Sequence, residues 1–105
     1  GERRESRIVE NGDLRIELDD ETALLRGTPL DLSPTEFRLL EALARKMGRT
    51  ASREELLSKI WSFYGGDTRT VDVHISRLRK KLDDGKSPAL AINSLRGRGY
   101  RLVWE

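Results

Sequence analysis

Cysteine is absent from this 105-residue chain, and methionine and histidine occur once each. No disulfide framework, thiol nucleophile or cysteine-based zinc site is therefore available, and the composition fits a reducing compartment. A lone histidine, His74, excludes a His-rich metal site. No apolar run approaches the ~20 residues that a membrane-spanning helix needs, and no signal peptide is visible. Nor is there a Ser-His-Asp set or a phosphate-cradling glycine loop, since Gly97 and Gly99 have no helix after them to orient on a phosphate. These absences argue against an enzyme, a cofactor, a metal site and a membrane contact. An Asp19-Asp20-Glu21 cluster lacks the alternating spacing and distant glutamate of a calcium loop, and reads as a turn.

Charge is what the chain has in abundance. Charged and hydrophobic residues each make up 36%. That is polar for a globular protein, but the apolar residues are periodic, which argues for a folded domain of modest core. Net charge is +2 and uneven. Residues 1–68 carry 11 Lys/Arg against 14 Asp/Glu, and residues 69–105 carry 9 against 4, so the last third is basic. A one-sided basic segment suits a polyanionic partner.

Residues 1–6 are charged and patternless, and read as the end of a linker from an excised domain; residues 7–105 are expected to form one domain. Four short strands are expected before Ser33: Ile8-Val9, then Leu14 to Leu18 in alternation, then Thr22 to Arg26, and Leu30 to Leu32, with turns at Asn11-Gly12, Asp19 to Glu21 and Gly27. Ser33-Pro34-Thr35-Glu36 is a capping box that opens a helix closed by Gly48. Ser52-Arg53-Glu54-Glu55 opens a second, with Leu56, Leu57, Ile60 and Trp61 as its apolar face.

The third helix spans Arg69 to Leu82, with Asp67 and Thr68 as candidate N-caps and Asp83 to Gly85 ending it. Val71, Ile75, Leu78 and Leu82 make one apolar stripe. Thr70, Val73, His74, Arg77 and Lys81 fall on a neighbouring arc, flanked by Arg69 and Lys80. Such a face suits a DNA major groove, where Arg pairs with guanine and Thr or Val touches a thymine methyl; an ordinary solvated basic face has the same composition. Arg79 lies off that arc, toward Asp72, and is expected in an ion pair with it. Beyond the helix, Ala91 to Leu95 and Tyr100 to Trp104 read as a hairpin with Arg96-Gly97-Arg98-Gly99 at its tip. A basic hairpin after a basic helix is a wing, whose arginines can enter a minor groove.

Four motifs then fall into a known order: Leu32-Ser33-Pro34-Thr35-Glu36-Phe37-Arg38-Leu39-Leu40, Ser52-Arg53-Glu54-Glu55-Leu56-Leu57 with Trp61, the helix Arg69–Leu82, and Arg96-Gly97-Arg98-Gly99-Tyr100-Arg101. From about Ile8 to Val103 the chain resembles the DNA-binding effector domain of OmpR/PhoB-type response regulators. The resemblance implies an α+β fold, a winged helix-turn-helix with a three-helix core and a C-terminal hairpin wing, preceded by a four-stranded antiparallel sheet. It implies sequence-specific binding of double-stranded DNA in transcription regulation, in the cytoplasm of a bacterium. A missing N-terminal receiver domain, a cognate sensor histidine kinase with its phosphorelay, and dimers on direct-repeat operators are also implied. The same domain type occurs in membrane-anchored and multidomain activators.

By residue, the resemblance implies base contacts from Thr70, Val73 and Arg77. It implies backbone contacts from Arg53, Trp61, Arg69, His74 and Tyr100, with Lys81 on the same basic arc, and a minor-groove wing of Arg96 with Ser94 nearby; Arg98 is this chain's own addition, at a wing position the family leaves variable. The loop Ser62, Phe63, Tyr64, Gly65, Gly66, Asp67 and Thr68 matches a segment that meets RNA polymerase in activating members. Ser94-Leu95 before the wing arginine and Ser62 after Trp61 depart from the commoner pattern.

Overall fold

A computed structural model describes residues 7–61 and 67–105. The alternation before Ser33 folds as an antiparallel meander of β1 (Ile8–Asn11), β2 (Leu14–Glu17), β3 (Thr22–Leu25) and β4 (Thr28–Pro29), paired in chain order. Leu14, Ile16, Ala23 and Leu25 point inward and are buried, while Arg15 and Glu17 face out and pair at 2.7 Å. Most boundaries differ from expectation by one or two residues, and two differences alter a turn or a strand. The first turn is Gly12-Asp13, because Asn11 still pairs with Leu14. The fourth strand begins at Thr28 rather than Leu30, because Arg26 and Gly27, both at positive φ, reverse the chain in two residues and pairing resumes at once. Leu30 and Leu32 instead pack against the core.

Helix α1 (Pro34–Arg45) carries the expected capping box: the Ser33 hydroxyl accepts from Glu36 N–H at 3.1 Å, and the Glu36 carboxylate accepts from Ser33 N–H at 2.9 Å. Helix α2 (Arg53–Trp61) has only half of one. Ser52 Oγ accepts from Glu55 N–H at 3.0 Å, but the Glu55 carboxylate turns to Lys46 and Lys59. In α3 (Arg69–Leu82) the stripe Val71, Ile75, Leu78 and Leu82 is buried against the other helices. Thr68 makes no side-chain cap; Asp67 Oδ1 accepts from Arg69 N–H at 2.9 Å instead.

The hairpin β6 (Leu90–Leu95) and β7 (Gly99–Trp104) follows. Its inner face buries Leu90, Ile92, Tyr100 and Leu102. A strand not expected from the sequence, β5 (Thr50–Ala51), pairs with β7 and makes this a three-stranded sheet in the order β5-β7-β6. Two residues are too few to show a periodic pattern, so β5 exists only through its partner.

Arg26 and Trp104 lock the first sheet to the rest. Arg26 bonds Asp84 at 3.0 Å, the Pro88 carbonyl and Asp13, and its guanidinium lies 5.6 Å over the Trp104 ring. The Trp104 indole N–H donates to Asn11 Oδ1 at 2.9 Å. These contacts fasten the N-terminal sheet to the end of α3 and to the last strand. Among the described residues, no helix is long and apolar enough to cross a membrane.

Candidate nucleic-acid interface

Burying one stripe of α3 decides what its other face presents. Val73 is the one large hydrophobic residue exposed among those described, at 47%. Its methyl groups are open to a partner surface. Thr70 is half-buried one turn earlier, and Arg77 stands exposed one turn later. The structure thus brings the three base-contact candidates onto one face, in a row along the axis.

The flanking groups are held by local chemistry. The Thr70 carbonyl accepts from His74 Nδ1 at 2.8 Å, and the Trp61 ring stands edge-on to His74 with centroids 5.1 Å apart. Trp61 therefore braces the helix face. Arg69, at the start of α3, is bonded to Asp67 at 2.6 Å, which raises its already high pKa. Lys81 is set apart: its ammonium bonds Glu36 Oε1 at 2.7 Å, on a carboxylate only 3% exposed. Burial pushes the Glu36 carboxyl up, but Lys81 and the Ser33 N–H outweigh it and hold the group below its ordinary value.

The wing stands beside this face. Its tip is the three-residue loop Arg96-Gly97-Arg98, closed by Arg98 N–H on the Leu95 carbonyl at 2.9 Å, with Gly97 at φ +73°. Arg77, Arg96 and Arg98 are exposed and take part in no ion pair among the described residues. An open cleft of about 400 Å³ runs between the wing and the start of α2, lined by Arg53, Glu54, Ser94, Arg96, Arg98 and Tyr100.

The expected ion pair of Arg79 with Asp72 does not form. The two share a helix face but lie two turns apart, about 10.5 Å along the axis. Tyr100 fills the gap: its hydroxyl donates to Asp72, and Arg79 lies 5.7 Å over its ring. Arg79 itself donates to the Ile92 carbonyl at 3.0 Å and to Ser94 Oγ at 2.7 Å, pinning α3 to β6. Arg53 is the residue that pairs with Asp72, at 2.9 Å. The Asp72 hub was not foreseen; the signal for it was a carboxylate in the first turn of a basic helix. Residues 62–66 of the expected polymerase loop lie outside the described residues, and so do residues 1–6.

A family model described as "Transcriptional regulatory protein, C terminal" matches residues 27–102. The chain belongs to the OmpR/PhoB-type response regulators, as their C-terminal DNA-binding domain. This effector domain is 45% identical over 92 residues to the alkaline phosphatase synthesis transcriptional regulatory protein PhoP of Bacillus subtilis, covering 87% of this chain and 38% of that protein. It is 40% identical over 96 residues to the transcriptional regulatory protein CseB of Streptomyces coelicolor, covering 90% and 39%. The effector domain thus spans about two fifths of the length of these relatives. Its fold superposes on the DNA-binding domain of CpxR from E. coli with a TM-score of 0.80, at 35% identity over 92% of this chain and 96% of that one. The Klebsiella pneumoniae RstA DNA-binding domain, solved in complex with the RstA box, gives a TM-score of 0.78 at 35% identity, over 91% and 96%. The winged helix-turn-helix architecture of the effector domain and its place in transcription regulation by DNA binding follow from these likenesses.

Proposed function

We propose that α3 reads base edges in a major groove through Thr70, Val73 and Arg77, while Arg96 and Arg98 of the wing enter the neighbouring minor groove. The observation that carries this reading is the exposed Val73 beside the unpaired Arg77 on the solvent face of a helix whose other stripe is buried. A bidentate Arg on guanine and an apolar contact to a thymine methyl require that combination. Arg53, Arg69, Trp61 and His74 meet the phosphates on either side. Ser94 supports the wing through Arg79. Lys81 is left out of the phosphate set, since its charge neutralises Glu36.

At the level of the whole protein, this domain is the cytoplasmic, non-enzymatic output of a bacterial two-component system. An upstream receiver domain, phosphorylated by a sensor kinase, would favour dimers on directly repeated half-sites. The segment from Ser62 to Thr68 would face RNA polymerase. The family match and the similarity to regulators more than twice as long support this reading.

Selection of bound duplexes from a random pool, followed by titration at several salt concentrations, tests it. The expected result is a directly repeated motif with half-sites about one helical turn apart, whose binding weakens steeply with salt. Salt-sensitive binding without an enriched motif would remove the base contacts. An inverted repeat would overturn the head-to-tail arrangement alone.

A further inference from the structure

A phenol has one proton to donate, and Tyr100 gives it to Asp72. The same carboxylate oxygen, Oδ1, accepts Nε–H of Arg53 at 2.9 Å. Arg53 lies 5.9 Å over the Tyr100 ring, and Arg79 lies over the same ring at 5.7 Å. Three elements meet at this carboxylate: the first residue of α2, the first turn of α3 and the wing strand β7. Burial and the bond to Asp72 push the Tyr100 phenol above its ordinary pKa, against the pull of Arg53, so the hydroxyl keeps its proton. Arg53 is used differently. Its Nε bonds Asp72 and its guanidinium also leans on the Tyr100 oxygen, while about half of the side chain stays exposed beside the cleft that Arg96 and Arg98 also line.

We propose that Tyr100 and Asp72 are positioning residues for DNA binding: together they hold the Arg53 guanidinium so that its exposed edge meets a phosphate, and Tyr100 itself gives no hydrogen bond to DNA. This inference rests on the DNA-binding reading above and reassigns one of its expected phosphate contacts. It has two consequences that a direct contact lacks. A neutral hydroxyl releases no counterion, so losing a direct Tyr–phosphate bond would leave the salt dependence of binding unchanged, whereas misplacing Arg53 would lower it. A carboxylate at a DNA-facing surface repels the polyanion, so removing it should tighten binding by charge alone, whereas losing a positioning group weakens it.

The test measures anisotropy of the selected duplex with the full chain across a range of salt. Arg53→Ala is expected to weaken binding about tenfold and to lower the salt slope by about one. Tyr100→Phe and Asp72→Ala should reproduce both effects, and Tyr100→Phe should add nothing to Arg53→Ala. Asp72→Asn, which keeps an acceptor oxygen, should recover most of the affinity. Tyr100→Phe retains the ring between the two guanidinium groups and carries the test if Asp72→Ala melts early. Weakening by Tyr100→Phe at unchanged slope, additive with Arg53→Ala, would mean a direct phosphate contact and overturn the proposal. So would tighter binding by Asp72→Ala, or no effect of Tyr100→Phe at all. Failure of the unaltered chain to bind any duplex would instead overturn the DNA-binding reading beneath it.

Discussion

Gly99 and Ala51 lie in backbone contact. A Cβ added to Gly99 would stand 2.0 Å from the Ala51 carbonyl oxygen and 2.8 Å from Ser52 Cα. The wing strand therefore touches the short strand that leads into α2, and only glycine permits the approach. Gly97, two residues earlier, also has positive φ but open space around it. Gly99→Ala is expected to cost about 3 kcal/mol, because backbone must shift to relieve the clash. Gly97→Ala should cost about 1 kcal/mol, the penalty of a left-handed conformation alone. Urea unfolding of the two variants measures the difference, and equal losses would remove Ala51 as the cause.

The Glu36–Lys81 bond ties the start of α1 to the end of α3 across 45 residues. Lys81→Ala leaves a buried carboxylate with only the Ser33 N–H, and should lower stability by about 1–2 kcal/mol, less than a fully buried pair would lose, because Lys81 is partly in water.

The same carboxylate makes stability depend on pH. Its folded value is lowered, so its contribution is fully present above the unfolded carboxyl value of about 4.3 and drains as pH falls through the folded value below that. Glu36→Gln should flatten the acid limb of the stability profile, read from chemical unfolding between about pH 5 and pH 2. An unchanged limb would assign acid lability to other groups, of which Glu55, lowered by Lys46 and Lys59 against the effect of burial, is the first to try.

Arg77→Ala should cost about 1–3 kcal/mol on the selected duplex and relax preference at one base pair. Val73→Ala should lower discrimination at a thymine with a smaller loss of affinity. Arg69→Ala should weaken all sequences alike. Selection repeated with each variant reads all three, and an unaltered motif for Arg77→Ala would move base reading off this face.

The shared face of Thr70, Val73 and Arg77 was legible because helical phase is local: Val71, Ile75, Leu78 and Leu82 must face one way, which turns Val73 and Arg77 the other. The pairing of Arg79 was not. Phase placed it on the side of Asp72, but phase says nothing of the 10.5 Å or so between two turns, nor of the tyrosine that fills it. The partner of Lys81 was hidden for a related reason. Lys81 sits at the correct angle for the basic arc, yet a carboxylate from α1 reaches it first.

Patterns within one element or one tight turn, then, were decided by the order of residues alone: the alternation of the meander, three helices, the capping box of α1 and the glycine-marked wing tip. Each depends on neighbours within a few positions, where backbone sterics and the burial of alternate or every third and fourth side chain act directly. The tertiary structure alone decided β5, the Arg26–Trp104 lock, the Glu36–Lys81 bond and the convergence of Arg53, Asp72 and Tyr100. These join residues from 19 to 78 positions apart, through a two-residue strand pairing or single polar or stacking contacts. No periodicity marks such pairs, because what brings them together is the packing of whole elements against one another and not the phase of any one of them.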